Sequence, residues 1–171
     1  MADNSADAGS QAKPMHFVVF ALDEQRYALA LERVRRSIRV VAITPLPEAP
    51  SIVLGIIDLG GTVIPVIDIR KRFKRPLRDL RLSDQLIIAD TGSRGVALLV
   101  DETEGVIEVS PELYAAASAI VPGLGPVGGA LLLEDGMILI SDLDLLLSLE
   151  DESAIDRALG VAKRKGDERD R

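Results

Sequence analysis

The 171-residue chain has no cysteine, no tryptophan, one histidine and only 3% aromatic residues. Without thiols there is no disulfide, no thiolate nucleophile and no zinc site built on cysteine. The lone histidine, His16, stands at the start of the first apolar run. No G-x-S-x-G elbow occurs, so a Ser-His-Asp triad lacks both a nucleophile turn and a well-placed base, and His16 reads as a surface or strand-edge residue. With so few aromatics, Val, Ile, Leu and Ala must build the core, and a 47% hydrophobic content suffices for one. Positive charge is in deficit, with 20 Lys and Arg against 27 Asp and Glu and a net charge of −7. Such a chain is poorly suited to coating a phosphate backbone, so no nucleic-acid partner is expected. No apolar run reaches the roughly 18 residues that span a bilayer, so no membrane insertion is expected. The N-terminal MADNSADAGSQAKP lacks the basic start and apolar stretch of a signal peptide. These absences together predict a cytoplasmic protein.

What is present is a series of short apolar runs separated by turn signals. Residues 1–14 are small, acidic and polar and are expected to be a disordered tail. FVVFAL, DEQ and RYALAL then read as strand, turn and strand. Val34 to Val41 reads as an edge-like strand with arginines exposed. ITPLPEAPS carries three prolines in six residues and must be an extended loop. IVLGII and TVIPVIDI form a hairpin in which Pro65, lacking an N–H, demands an edge or a bulge. Residues 70–82 read as a short helical turn and a basic loop. QLIIAD, GVALLVDE and GVIEVS are further strands, and ALLLED with GMILIS is a hairpin around Asp135-Gly136. PELYAAASAI fits a short helix or an extended loop, and VPGLGPVGG fits neither helix nor strand. SDLDLLLSL reads as a helix capped by Ser141 or Asp142. EDESAIDRAL extends a helix, and KRKGDERDR should fray. About ten short strands at this spacing suit a barrel or sandwich and exceed one small barrel, so two linked small barrels are expected.

Motifs for chemistry are weak. GLGPVG, residues 123–128, matches G-x-G-x-x-G but precedes an apolar strand rather than a helix, so a flexible loop is the better reading. Asp142 and Asp144 lack the further ligands of a calcium loop, and Asp142 is better placed as a helix cap. Asp68 and Asp101 end apolar strands, where turn or loop bonds are expected. No catalytic residue, metal site or cofactor follows. Two basic clusters occur, Arg33, Arg35, Arg36 and Arg39 in one, and Arg70, Lys71, Arg72, Lys74, Arg75, Arg78 and Arg81 in the other. Each reads either as a solvated face or as a surface for an acidic protein partner.

The order of these features resembles the CheW-like family of chemotaxis adaptor proteins. The strand pair FVVFALDEQRYALAL, the segment VRRSI at 34–38, the loop ITPLPEAP at 43–50 and the hairpin GIIDLGGTVIPVIDIR at 55–70 follow the family pattern. So do GVALLVD, a late ILI strand and the closing SDLDLLL. The resemblance spans about residues 16–149 and is most specific in the hairpin. It implies a mainly β fold of two five-stranded SH3-like barrels sharing a core, with short helices including one near the C-terminus. It places the domain at 15–150, followed by a charged, partly helical tail at 151–171.

The resemblance also implies a non-catalytic adaptor joining the cytoplasmic tip of a chemoreceptor to the regulatory domain of a CheA-type histidine kinase. Carried onto this chain, the kinase-facing residues are Val34, Arg36, Ser37 and Ile38. The receptor-facing residues are Asp58, Leu59, Gly60, Gly61 and Ala97. Two departures stand out. The family's Asn-Leu-Arg-Gly turn is Asp58-Leu59-Gly60-Gly61, losing a guanidinium and gaining an acid. The kinase-facing segment has Arg36 where the family usually has an acid, and reversed charge selects a different partner. The turn is read either as a docking corner or as glycines that merely close a tight turn. The alternatives are a divergent scaffold of the same fold in another sensory or motility complex and, on generic grounds, a small-molecule site between the barrels.

Overall fold

The computed structural model describes residues 13–116 and 125–169. Most of the tail expected at 1–14 and part of the segment expected as helix or loop at 111–120 lie outside those residues. The strands are β1 (Met15–Leu22), β2 (Gln25–Ala30), β3 (Val34–Arg39), β4 (Val53–Leu59), β5 (Thr62–Ile67), β6 (Gln85–Asp90), β7 (Gly95–Val100), β8 (Glu102–Val109), β9 (Tyr114–Ala116), β10 (Val127–Leu133) and β11 (Gly136–Ser141). Two helices follow, α1 (Leu143–Leu146) and α2 (Leu149–Arg169). The strands form a six-stranded sheet in the order β8-β1-β2-β11-β10-β9 and a five-stranded sheet in the order β3-β6-β7-β5-β4. The chain therefore starts in the first sheet, builds the second entirely from its middle third, and returns.

Each sheet curls because its two outer strands are tied together. In the five-stranded sheet, the chain leaving β3 docks on β4, with Thr44 N donating to Ile56 O at 2.9 Å and Ile56 N donating to Thr44 O at 2.8 Å. In the six-stranded sheet, the outer strands β8 and β9 are joined by only Ser110 and a 3-10 turn at Pro111–Leu113. The expected five strands per barrel become six in one of them, the extra being the three-residue β9.

The apolar runs are continuous rather than alternating because both faces of the inner strands are buried. In β7, Ala97 and Leu99 fill the interior of the five-stranded barrel, while Val96, Leu98 and Val100 point into a cluster shared with the other sheet. In β1, Phe17 and Val19 fill the six-stranded barrel, and Val18, Phe20 and Leu22 join the shared cluster. That cluster packs the two sheets against each other.

Pro65 sits inside the five-stranded sheet yet costs no ladder bond. Ile56, its partner on β4, spends both backbone groups on Thr44, so the Ile56–Pro65 pair is one without hydrogen bonds. On its other side β5 pairs with β7 only from Val66 onward. Barrel closure also explains Gly55. A Cβ there would lie 2.2 Å from the Thr44 carbonyl oxygen. Gly55→Ala should therefore expel Thr44 from β4 and destabilise the fold by about 1–3 kcal/mol, read as a lower urea midpoint with loss of exchange protection at the Thr44 and Ile56 amides.

Three boundaries differ from the sequence expectation. β10 begins at Val127, three residues ahead of ALLLED, because Gly128 and Gly129 enter the strand. The helix expected over 141–149 is two pieces. Asp142 caps the four-residue α1 through its side chain, and Ser148 starts α2 by exchanging bonds with Asp151. Finally, the segment expected to fray from 163 continues as helix to Arg169. Ile155 and Ala158 of α2 are buried, Ile155 in the shared cluster, so the helix packs on the domain.

Candidate partner-docking site

Parallel β5 and β7, with β6 and β3 antiparallel to them in turn, bring the 58–61 turn, the loop between β6 and β7, and the start of β3 to one end of the five-stranded barrel. Gly95 makes this concrete, since its Cα faces both Ile64 and the Arg35 guanidinium. The turn is a two-residue hairpin with φ of +60° at Gly60 and +90° at Gly61, the pattern of a type I′ turn. A Cβ on either glycine would meet nothing within 4 Å, so backbone conformation alone calls for glycine there. Asp58 Oδ1 accepts the Gly61 amide at 2.7 Å. The acid thus closes the turn while its side chain remains exposed.

β3 is an outer strand of its sheet, and a bulge between Val34 and Arg36 resets its register. Val34 is half-buried against the shared cluster and Ile38 against the barrel interior. Arg36 and Ser37 are exposed, with the Ser37 hydroxyl 2.9 Å from that of Thr103 on β8. Leu59 is partly buried, and Asp58, Gly60 and Gly61 are exposed. Ala97 is a correction. It is 0% exposed inside the barrel, because apolar β7 is central and both its faces are covered. It offers a partner no surface, and acts at most by shaping the barrel wall.

The two basic clusters divide differently from either expectation. Arg33 pairs with Asp144 and Arg35 with Asp90, whereas Arg36 and Arg39 make no ion pair among the described residues. In the 70–82 segment the arginines are mostly consumed internally. Arg70 is 3% exposed. Its Nη1 lies 3.0 Å from both Asp23 carboxylate oxygens, and its Nη2 bonds Asp101. Arg78 donates to Asp84 at 2.6 and 3.0 Å and to Asp101 at 2.5 Å. Arg72 pairs with Asp151 of α2.

Asp101 is the single residue between β7 and β8, where the chain crosses from one sheet to the other. Its amide donates to Ala21 O at 3.0 Å, and its carboxylate accepts the Asp23 amide at 2.6 Å. Burial pushes its carboxyl pKa up, but hydrogen bonds from Arg70, the Asp23 amide and Arg78 outweigh that and hold it below the usual carboxylate range. Asp84 is likewise raised by burial and lowered further by Arg78 and the Arg81 amide. Burial opposes the Arg70 charge, and the bonds to Asp101 and Asp23 more than restore it. This network was missed in sequence because its acids sit far apart in the chain. Its only local signal is an acid at the end of an apolar run.

His16 lies at the surface across from Glu108 on β8. Asp142 caps a helix and Asp144 pairs with Arg33. Among the described residues no three His, Cys, Asp or Glu side chains are grouped to hold a metal. Gly125 to Gly128 of the glycine motif lead straight into β10, so no helix N-terminus follows them. Among the described residues no helix is long and apolar enough to cross a membrane.

Comparison with known proteins agrees with this geometry. Residues 16–151 match the model of the CheW-like domain. The chain is 29% identical over 139 residues to the chemotaxis protein CheW of Rhizobium meliloti, covering 80% of this chain and 90% of that protein. It is 26% identical over 117 residues to protein FrzA of Myxococcus xanthus, covering 68% of this chain and 70% of that protein. Among solved structures it resembles the scaffolding protein TtCheW of Thermoanaerobacter tengcongensis, with a TM-score of 0.74 and 32% identity over 81% of this chain and 95% of that one. Two curled sheets and a match over nearly the whole described domain converge: the chain belongs to the CheW-like family of chemotaxis coupling adaptors.

Proposed function

We propose that this chain is a non-catalytic adaptor that joins the regulatory domain of a CheA-type histidine kinase to the cytoplasmic tip of a chemoreceptor. The exposed residues of β3, Arg36 and Ser37 with the flanking Val34 and Ile38, face the kinase. The Asp58-Leu59-Gly60-Gly61 turn faces the receptor. The observation that carries the reading is the likeness to a scaffolding protein over 95% of that chain, together with a surface on which two arginines, Arg36 and Arg39, have no acid to neutralise them among the described residues. Unpaired surface charge mainly sets partner choice and encounter rate.

Calorimetric titration of the full chain with the regulatory domain of a co-encoded kinase tests the kinase half. Binding is expected to weaken with salt, and Arg36→Glu to reduce affinity about tenfold through like-charge contact with an acidic face. Absence of binding to any such domain removes the kinase from the account. The reversed sign at Arg36 and the missing guanidinium at Gly60 favour a second reading, a scaffold of the same fold serving another sensory or motility complex. On that reading Arg36→Glu with Gly60→Arg improves binding to chemotaxis partners of the usual charge. A Cβ on Gly60 meets nothing within 4 Å, so the cost of Gly60→Arg is the left-handed backbone alone, which a stability measurement on the variant reads separately from binding. Unchanged binding by the double variant rejects partner selection at these two positions.

A further inference from the structure

We propose that the cavity formed by the Arg72–Arg75 turn against β2 is a binding site for a small phosphate-type oxyanion. The cavity, of about 260 Å³, is lined by Gln25, Tyr27, Arg72, Phe73, Lys74 and Arg75 among others, and no carboxylate lines it. Three cations converge there in a protein whose net charge is −7. The Nε atoms of both Arg72 and Arg75 are buried without a hydrogen-bond partner. Each guanidinium is held by one acid, Arg72 by Asp151 and Arg75 by Asp23 at 3.2 Å, so each has donors left over. An oxyanion in the cavity supplies acceptors to these cationic side chains, of which Lys74 has no acid partner among the described residues.

Two further features point the same way. Tyr27 is only 3% exposed, its ring centroid 4.4 Å from that of Phe73 at a tilt of 37°, and its hydroxyl has no hydrogen bond among the described residues. Burial raises its pKa, so it remains a donor at neutral pH. Lys74 holds a φ of +52°, a left-handed conformation that a lysine rarely adopts. The turn is kept there by Phe73 N to Ile69 O at 3.1 Å and Arg75 N to Arg70 O at 2.9 Å. Strain of this kind collects at binding sites. The site is separate from β3 and the 58–61 turn and does not depend on the adaptor reading.

The test is titration of the full chain with inorganic phosphate at constant ionic strength, followed by calorimetry and by phosphorus NMR line width. Saturable binding is expected. Lys74→Gly keeps the turn, because glycine accepts the left-handed conformation, and loses affinity about tenfold with the ammonium. Arg75→Gln weakens binding similarly, and Arg39→Gln on the remote β3 does not. Glycerol phosphate binding more tightly than phosphate identifies a phosphomonoester as the natural source. The reverse order identifies the free ion. Linear, unsaturated heats overturn the proposal. So does an equal rise in Tm for the chain and for Lys74→Gly, the general stabilisation of a folded state by an anion excluded from its surface.

Discussion

Asp101→Ala is expected to lower the unfolding free energy by about 3 kcal/mol or more, the cost of removing one partner from a buried ionic network. For a domain of this size that corresponds to roughly 6–12 °C in Tm. The size follows from what stays behind. Arg70, 3% exposed, and Arg78 keep their charges and lose a shared acceptor. The Asp23 amide loses its acceptor as well, at the residue where the chain returns from β7 to β8 of the other sheet. The same network sets the acid response. Asp84 and Asp101 titrate below their unfolded value of about 3.9. Their contribution is therefore complete above that value and is lost as pH falls through their lower folded values. Stability should fall steeply below about pH 4, and Asp101→Asn should flatten that fall. A pH series of urea titrations on the chain and Asp101→Asn reads the difference directly.

Ile155→Ala should cost about 2–5 kcal/mol, the range for emptying a fully buried aliphatic site. Ile155 is 0% exposed and sits in the cluster that both sheets share. Arg94, in the loop between β6 and β7, grips the same helix through Glu152 at 2.8 Å and through Asp156. If residues 151–171 were only a solvated tail, the substitution would fall within about 0.5 kcal/mol. Equilibrium urea unfolding separates the two outcomes. An effect near zero would detach α2 from the domain.

The contrast between these two regions shows what was readable from sequence. The hairpin at 55–70 and the strands around it were legible because each apolar run is bounded by its own turn signals, Gly60-Gly61 and Asp135-Gly136 above all. That a run such as GVALLV has both faces covered follows from its lack of alternation. What was not legible depends on long-range contact. Arg70 through Arg81 read as a basic surface because Asp23 and Asp101 lie far off in the chain and only Asp84 is local. The helix over EDESAIDRAL was legible, but its docking was not, because only Ile155, Ala158 and Leu159 mark its packed stripe. Ala97 entered the receptor-facing set from resemblance, and burial in the barrel removes it from the surface. Arg36 and Ser37 are exposed on β3, as are Asp58, Gly60 and Gly61 of the turn.

Hydrogen exchange of the full chain, with and without the regulatory domain of a co-encoded CheA-type kinase, tests the central claim most directly. The account predicts new protection at the amides of 34–39, with the central strands β1 and β7 unchanged and no covalent change in either protein. Protection confined to other surfaces, or none at kinase concentrations that saturate any specific complex, would contradict it.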